Sequence, residues 1–244
     1  MNNILRILAV ATLALGLARP LPAAVTISVD MDPATPGIQS NRVAAVGQSI
    51  TVDLVMAVGA EGVSSYGLSV NFDNVELSLN GAPAATELLP TGFTYNLNSG
   101  ANSESQPLGQ IRTFEAATLG NGPINTLFVI GSITLTAGLP VIDAAADVTP
   151  GFFNIGVDGL FDNAGSTVTP TLVSGYLTTL PMLTINYAGN AAIVSWPTTV
   201  AGWTLQTNRN LVTGTWGAYA GAVVNNRVTN SPPTGNLFYR LFHP

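Results

Sequence analysis

The chain reads as all-β, a β-sandwich or jelly roll followed by a small β-sheet domain, and three observations lead there. Apolar residues recur with period two, as where Ile50, Val52, Leu54 and Met56 alternate with Thr51, Asp53, Val55 and Ala57, or Leu68, Val70 and Phe72 with Ser69, Asn71 and Asp73. Turn signals such as Asn80-Gly81, Asn121-Gly122-Pro123 and Pro150-Gly151 separate these runs. Beyond the first two dozen residues no stretch carries the 3.6-residue period of an amphipathic helix. A parallel α/β sheet, whose crossovers need helices, is therefore excluded.

The N-terminus stands apart. Arg6 precedes an apolar run over 7–17, and the small residues Ala23 and Ala24 follow. This is the pattern of a signal peptide helix over 1–24, with cleavage after Ala24. The run is well short of the roughly 20 residues that a membrane-spanning helix needs. The expected mature chain is secreted or held at the cell surface, and has no transmembrane span.

Strands are then expected at 25–29, 50–56, 68–72, 75–79, 93–97, 111–116, 127–136, 152–157 and 172–177, a sandwich domain over 25–178. After a linker at 179–182, shorter strands are expected at 183–187, 192–196, 203–207, 216–220, 226–229 and 237–242, a compact domain over 183–244 that holds Trp196, Trp203 and Trp216.

Composition narrows the chemistry. There is no Cys, every basic residue is Arg, and the one His is His243, next to the end. Export permits disulfides, so their absence leaves the fold to apolar burial. Zinc sites, thiol catalysis and Schiff-base chemistry lack their residues, and a His-based triad would rest on the chain terminus. Paired carboxylates and calcium need only Asp and Glu, and both pass this filter.

Charge is uneven. All 13 acidic residues lie between Asp30 and Asp162, beside only Arg42 and Arg112, whereas from Asn163 onward the only charged side chains are Arg209, Arg227 and Arg240. The switch suggests two modules with opposite electrostatic character. Scattered arginines do not make the clustered basic stripe that binds phosphate, so nucleic acid is not an expected partner.

The runs Val46-Gly47-Gln48-Ser49-Ile50-Thr51-Val52-Asp53-Leu54, Tyr66-Gly67-Leu68-Ser69-Val70-Asn71-Phe72-Asp73 and Gly131-Ser132-Ile133-Thr134-Leu135 resemble the cohesin-like β-sandwich domains of exported bacterial proteins, over residues 25–178. The opening Asp30-Met31-Asp32-Pro33 resembles the start of exported proteins of the same type. The resemblance implies a sandwich that binds an extracellular protein. The chain departs from the family after Asp73, where Asn74-Val75 stands in place of a Pro-containing continuation, so the likeness does not specify a dockerin as partner. Farther on, Val194-Ser195-Trp196-Pro197, Gly202-Trp203-Thr204-Leu205, Gly214-Thr215-Trp216 and Phe238-Tyr239-Arg240-Leu241 resemble a Trp-rich C-terminal β domain of exported bacterial proteins. Its position there implies export sorting or non-covalent attachment.

Three features are candidate sites. Asp158, Asp162 and Asn163 lie in a Gly-rich segment whose oxygens could wrap Ca²⁺, although Asx and Gly also build plain turns. Asp30 and Asp32 would add ligands or face solvent. Trp203 and Trp216 would stack on sugar rings if exposed, or fill the core of a small domain that has no disulfide. Glu61, Glu76, Glu87, Glu104 and Glu115 could act as a hydrolase pair only if two converge in a cleft. No motif places them so, and no catalytic residue is assigned. The expected function is a non-catalytic binding or structural module facing an extracellular protein or polysaccharide. A carbohydrate-binding protein is the alternative, and a hydrolase ranks third.

Overall fold

The computed structural model describes residues 24–96, 103–139, 143–154, 156–197, 202–212 and 214–244. The expected signal peptide helix lies outside the described residues, as does the end of the strand expected over 93–97. In the described part all regular structure is β apart from one short 3₁₀ turn at Gln106–Leu108.

The first sheet is built on the two longest strands, β3 (Ser49–Val58) and β10 (Thr126–Ala137), which pair antiparallel over almost their whole lengths. β1 (Thr26–Asp30) flanks β3 and carries β13 (Thr171–Val173) parallel on its other edge. The short β5 (Leu77–Leu79) and β6 (Ala85–Glu87) flank β10. The second sheet centres on β4 (Ser65–Phe72) and β9 (Gln110–Ala117). β11 (Val148–Gly151) and β12 (Gly159–Phe161) share the outer edge of β4, and β7 (Tyr95–Asn96) and β8 (Ser103–Ser105) share that of β9.

Period-two alternation turns Ile50, Val52, Leu54 and Met56 of one sheet toward Tyr66, Leu68 and Val70 of the other, and all seven are buried. Each such side chain contributes roughly 1.5–3 kcal/mol, which is how a chain without Cys holds its fold. Gly131 lies at the bulge of β10 because the ring of Phe114 fills that space; a Cβ there would stand 2.3 Å from the ring.

Three expectations change. Residues 152–157 are not a strand. The strand comes just before them, at β11, and includes Pro150, tolerated because β11 is an edge that, among the described strands, pairs with β4 alone. The strand expected over 172–177 breaks at Gly175, which Met31 overhangs so closely that a Cβ would meet its sulfur at 2.3 Å. The chain there leaves β13 and begins β14 (Tyr176–Leu180), which pairs parallel with β2 (Asn41–Ala45). Thr179 and Leu180, expected in the linker, complete β14.

From residue 184 the strands form two further three-stranded sheets. One is β15 (Thr184–Ala188), β16 (Ala191–Ser195) and β19 (Arg227–Asn230); the other is β18 (Gly217–Ala218), β17 (Thr204–Asn208) and β20 (Phe238–Phe242). Val194, Trp196, Leu205 and Val228 make a small core separate from that of the sandwich. No described helix is long and apolar enough to cross a membrane.

Candidate functional site

Alternation on β4 sends Tyr66, Leu68, Val70 and Phe72 inward, so Ser65, Gly67, Ser69 and Asn71 face out. The register sets Gly67 between Gly159 and Glu115, and Ser65 between Phe161 and Ala117. The result is a floor of small residues. Covers press on it closely: a Cβ on Gly67 would lie 2.8 Å from the carbonyl oxygen of Val157, and one on Gly151 would lie 2.6 Å from the Phe153 ring. The segment after β11 folds back over this face and is tied down where the Asn154 amide donates to Thr113 Oγ1 at 3.1 Å. Ser69, although it points outward, is fully buried.

At the edge of that cover a cleft of about 280 Å³ remains open between Ser65, Gly67, Glu115, Val157, Gly159 and Phe161. Phe152, Phe153 and Phe161, each more than a third exposed, lie on the segments around it. Burial, and then the charge of Asp158, raises the Glu115 carboxyl above the usual glutamate range. Behind the floor the Tyr66 hydroxyl is buried without a hydrogen-bond partner, and burial followed by the Glu87 charge pushes its pKa up.

Asp158, Asp162 and Asn163 are not brought together. Strand β12 separates the two aspartates, which puts their Cα atoms about 13 Å apart at the rise of an extended chain. Asp158 accepts the Asn154 N–H at 2.8 Å. Asp162 accepts the N–H groups of Ala164 and Ser166, both at 2.8 Å, which closes its own turn. The Asn163 amide is a strut: its oxygen accepts the Gly122 N–H at 2.7 Å and its nitrogen donates to the Gly122 carbonyl at 3.2 Å. It fits because Gly62 has no side chain, since a Cβ there would stand 2.1 Å from the amide nitrogen. Among the described residues no three His, Asp or Glu side chains gather around a metal position. Asn163→Ala is expected to lower stability by about 2 kcal/mol, equally in calcium and in EDTA. A loss seen only with calcium present would restore the ion to this loop.

Asp30 is buried rather than solvent-facing and accepts the N–H groups of Asp32 and Gln39. Asp32 pairs with Arg42 at 3.5 Å.

Glu104 and Glu87 hold backbone amides. Glu104 clamps the N–H groups of Ala84 and Ala85 at 3.0 and 2.6 Å, and Glu87 accepts the Glu115 N–H. Glu76 faces Asp147 inside the protein. Of the tryptophans, Trp196 is in the small core, Trp203 packs against that core and against His243 at 5.2 Å between ring centroids, and Trp216 has the Arg240 guanidinium 4.6 Å above its ring. Gln206 holds that guanidinium with two hydrogen bonds of 2.9 and 2.7 Å. A sugar approaching that face of Trp216 would have to displace a hydrogen-bonded cation.

No protein-family model matches the chain, and no curated protein matches it. Among solved structures it is similar to a chain of a type I cohesin–dockerin complex from Clostridium thermocellum, at 14% identity and a TM-score of 0.43 over 67% of this chain and 99% of that one. The non-cellulosomal cohesin of the archaeon Archaeoglobus fulgidus is similar at 18% identity and a TM-score of 0.44, over 65% and 92%. The cohesin module of a family 33 glycoside hydrolase from Clostridium perfringens is similar at 14% identity and a TM-score of 0.40, over 65% and 100%.

Proposed function

We propose that the chain is a non-catalytic, exported binding module whose sandwich presents the outer face of the second sheet to a protein partner, while the C-terminal domain assists export or attachment. One observation carries this reading: the exposed ring of Phe161 lines a shallow cleft floored by Ser65, Gly67 and Gly159, and two more exposed phenylalanines, Phe152 and Phe153, lie on the segment that runs from β11 to it. Aromatic anchors around a flat, small-residue floor are what a protein interface concentrates at its centre. The single carboxylate in the cleft, Glu115, gives the partner one polar point of register. Export rests on the pattern of the first 24 residues.

The test places a photo-crosslinking amino acid at position 161 and exposes the protein to the exported proteins of its source. A discrete polypeptide adduct is expected, and Phe161→Ala should weaken capture of the purified partner at least tenfold, the cost of losing an interface anchor of about 1.4 kcal/mol or more. A polysaccharide adduct, or glycan binding that disappears in Trp216→Ala, would replace this reading with the carbohydrate-binding one.

A further inference from the structure

We infer that the outer face of the sheet formed by β17, β18 and β20 docks an extended acidic polypeptide, and that Arg240 is the residue that selects it. The inference concerns the C-terminal domain and does not depend on the partner proposed for the sandwich.

Alternation along β20 sends Tyr239 and Leu241 to the small core and leaves Phe238, Arg240 and Phe242 in a row on the other face, all three exposed. The register sets Gln206 of β17 opposite Arg240. Gln206 Oε1 accepts from Arg240 Nε at 2.9 Å and from Nη2 at 2.7 Å, while the ring centroids of Trp216 and Phe242 lie 4.6 and 5.8 Å from the guanidinium carbon. The side chain is thus held in one pose before any ligand arrives, which lowers the entropy cost of binding.

Gln206 takes the N–H groups along the Nε edge only. The terminal edge, formed by Nη1 and Nη2, stays open, and it is the fork that a carboxylate fills with two parallel hydrogen bonds. Nothing within the domain fills it. No Asp or Glu follows Asp162, and among the described residues no carboxylate lies within ion-pair reach of Arg240. The other charged side chains of the domain, Arg209 and Arg227, add the same sign, so the local field favours an anion.

Spacing selects a polypeptide among the carriers of a carboxylate. Phe238 and Phe242 stand two residues to either side of Arg240, about 7 Å away along the strand. An extended polypeptide repeats its same-face side chains at that same interval. A segment with an acidic residue flanked at two positions on each side by apolar ones therefore sets its carboxylate on the fork and its apolar groups on both phenylalanines. A carboxylated sugar polymer has no side chains at this period and needs a bare ring to stack on, whereas the guanidinium already covers the face of Trp216. Arg, Trp and Phe gathered on one face are also the residues that interfaces concentrate.

The test is a double-mutant comparison by fluorescence anisotropy. The labelled peptide Ser-Val-Thr-Glu-Thr-Val-Ser and its counterpart with Gln in place of Glu are titrated with the purified chain at about 0.15 M salt. The wild type should prefer the Glu peptide by about tenfold or more. Arg240→Gln should erase that preference, and Arg240→Lys, which keeps the charge and loses the fork, should remove most of it. Arg209→Gln and Arg227→Gln change the net charge by the same amount and should leave it intact. Indole fluorescence shows that each variant remains folded, since every Trp lies in this domain. A wild-type chain that binds neither peptide overturns the inference, as does a preference that survives in R240Q or falls equally in all three Gln variants. So does polygalacturonate that displaces the Glu peptide more strongly than poly-L-glutamate does at equal carboxylate concentration, because the face would then belong to a sugar polymer. Crosslinking at position 161 reports on the sandwich alone, so the two readings fail separately.

Discussion

Raising the pH from about 5 to about 8 is expected to destabilise the folded chain by about 3 kcal/mol through one buried pair, Glu76 and Asp147. Glu76 and Asp147 are only 5% and 2% exposed, and the charges that act on them are all carboxylates, with no arginine among them. Burial, reinforced by the charges of Asp147, Asp143 and Asp73, pushes the Glu76 carboxyl from its ordinary 4.5 up to about 7. Burial also raises Asp147, against the opposing hydrogen bond from the Leu177 N–H. Two carboxyls in such contact share a proton. Between pH 4.5 and 7 the native chain holds a proton that the unfolded chain has released, so stability falls with rising pH at up to about 1.4 kcal/mol per unit. Below that window the contribution is fully present, and above it the contribution is lost.

The test is urea unfolding of wild type and Glu76→Gln across this range, read as a difference so that other titrating groups cancel. The amide of the variant keeps a donor toward Asp147 and cannot ionise. The two proteins should be similar near pH 5, with the variant ahead by about 3 kcal/mol near pH 8. Parallel curves would mean that Glu76 is ionised in the native chain. The pair lies where the turn after β4 meets the segment leading into β11. Asp73 N–H donates to the Asp147 carbonyl at 2.8 Å, and Gly138 N–H donates to the Glu76 carbonyl at 2.6 Å. Loss of the proton should therefore loosen the edge of the sheet that bears the proposed binding face.

None of this coupling is readable along the chain, because Glu76 and Asp147 are far apart in sequence and nothing local marks either as buried. What the sequence does show is alternation. β1, β3, β4, β9 and β10 are legible because in each the apolar residues alternate with polar or small ones, even in β1 and β4, where the structure covers both faces. β2, β6, β8 and β12 are not, because they are short and are held by non-local partners, as Ala84 and Ala85 are by the Glu104 carboxylate. The Asp158 to Asn163 segment misleads for a related reason. Asx and Gly residues describe a turn and an ion loop equally well, and only pairing with β4 shows that an extended strand separates the two aspartates. One signal was available: Gly67, within an otherwise regular strand pattern, marks close approach of another backbone. The carbonyl of Val157 supplies it.

The separate cores lead to the largest expected effect of a single substitution, Trp196→Ala. The C-terminal core has four buried side chains, Val194, Trp196, Leu205 and Val228, with Leu183, Trp203, Tyr219, Tyr239 and Leu241 partly buried around them. Removing a buried indole costs about 3–5 kcal/mol, and a domain of this size rarely has more than that to lose. Trp196→Ala should therefore unfold the C-terminal domain and leave the sandwich folded. Phe114→Ala should cost a similar amount in the sandwich, where Phe114 is fully buried and fills the space over Gly131. Every tryptophan belongs to the C-terminal domain, so indole fluorescence reports that domain alone while far-ultraviolet dichroism reports both. Phe114→Ala should lower the dichroism transition and leave the fluorescence transition in place, whereas Trp196→Ala should abolish the fluorescence transition first. If both probes instead trace one coincident transition that either substitution shifts equally, the two cores unfold as one unit, and the Val46 N–H to Leu180 carbonyl hydrogen bond of 3.1 Å belongs to a continuous structure rather than to the end of one domain.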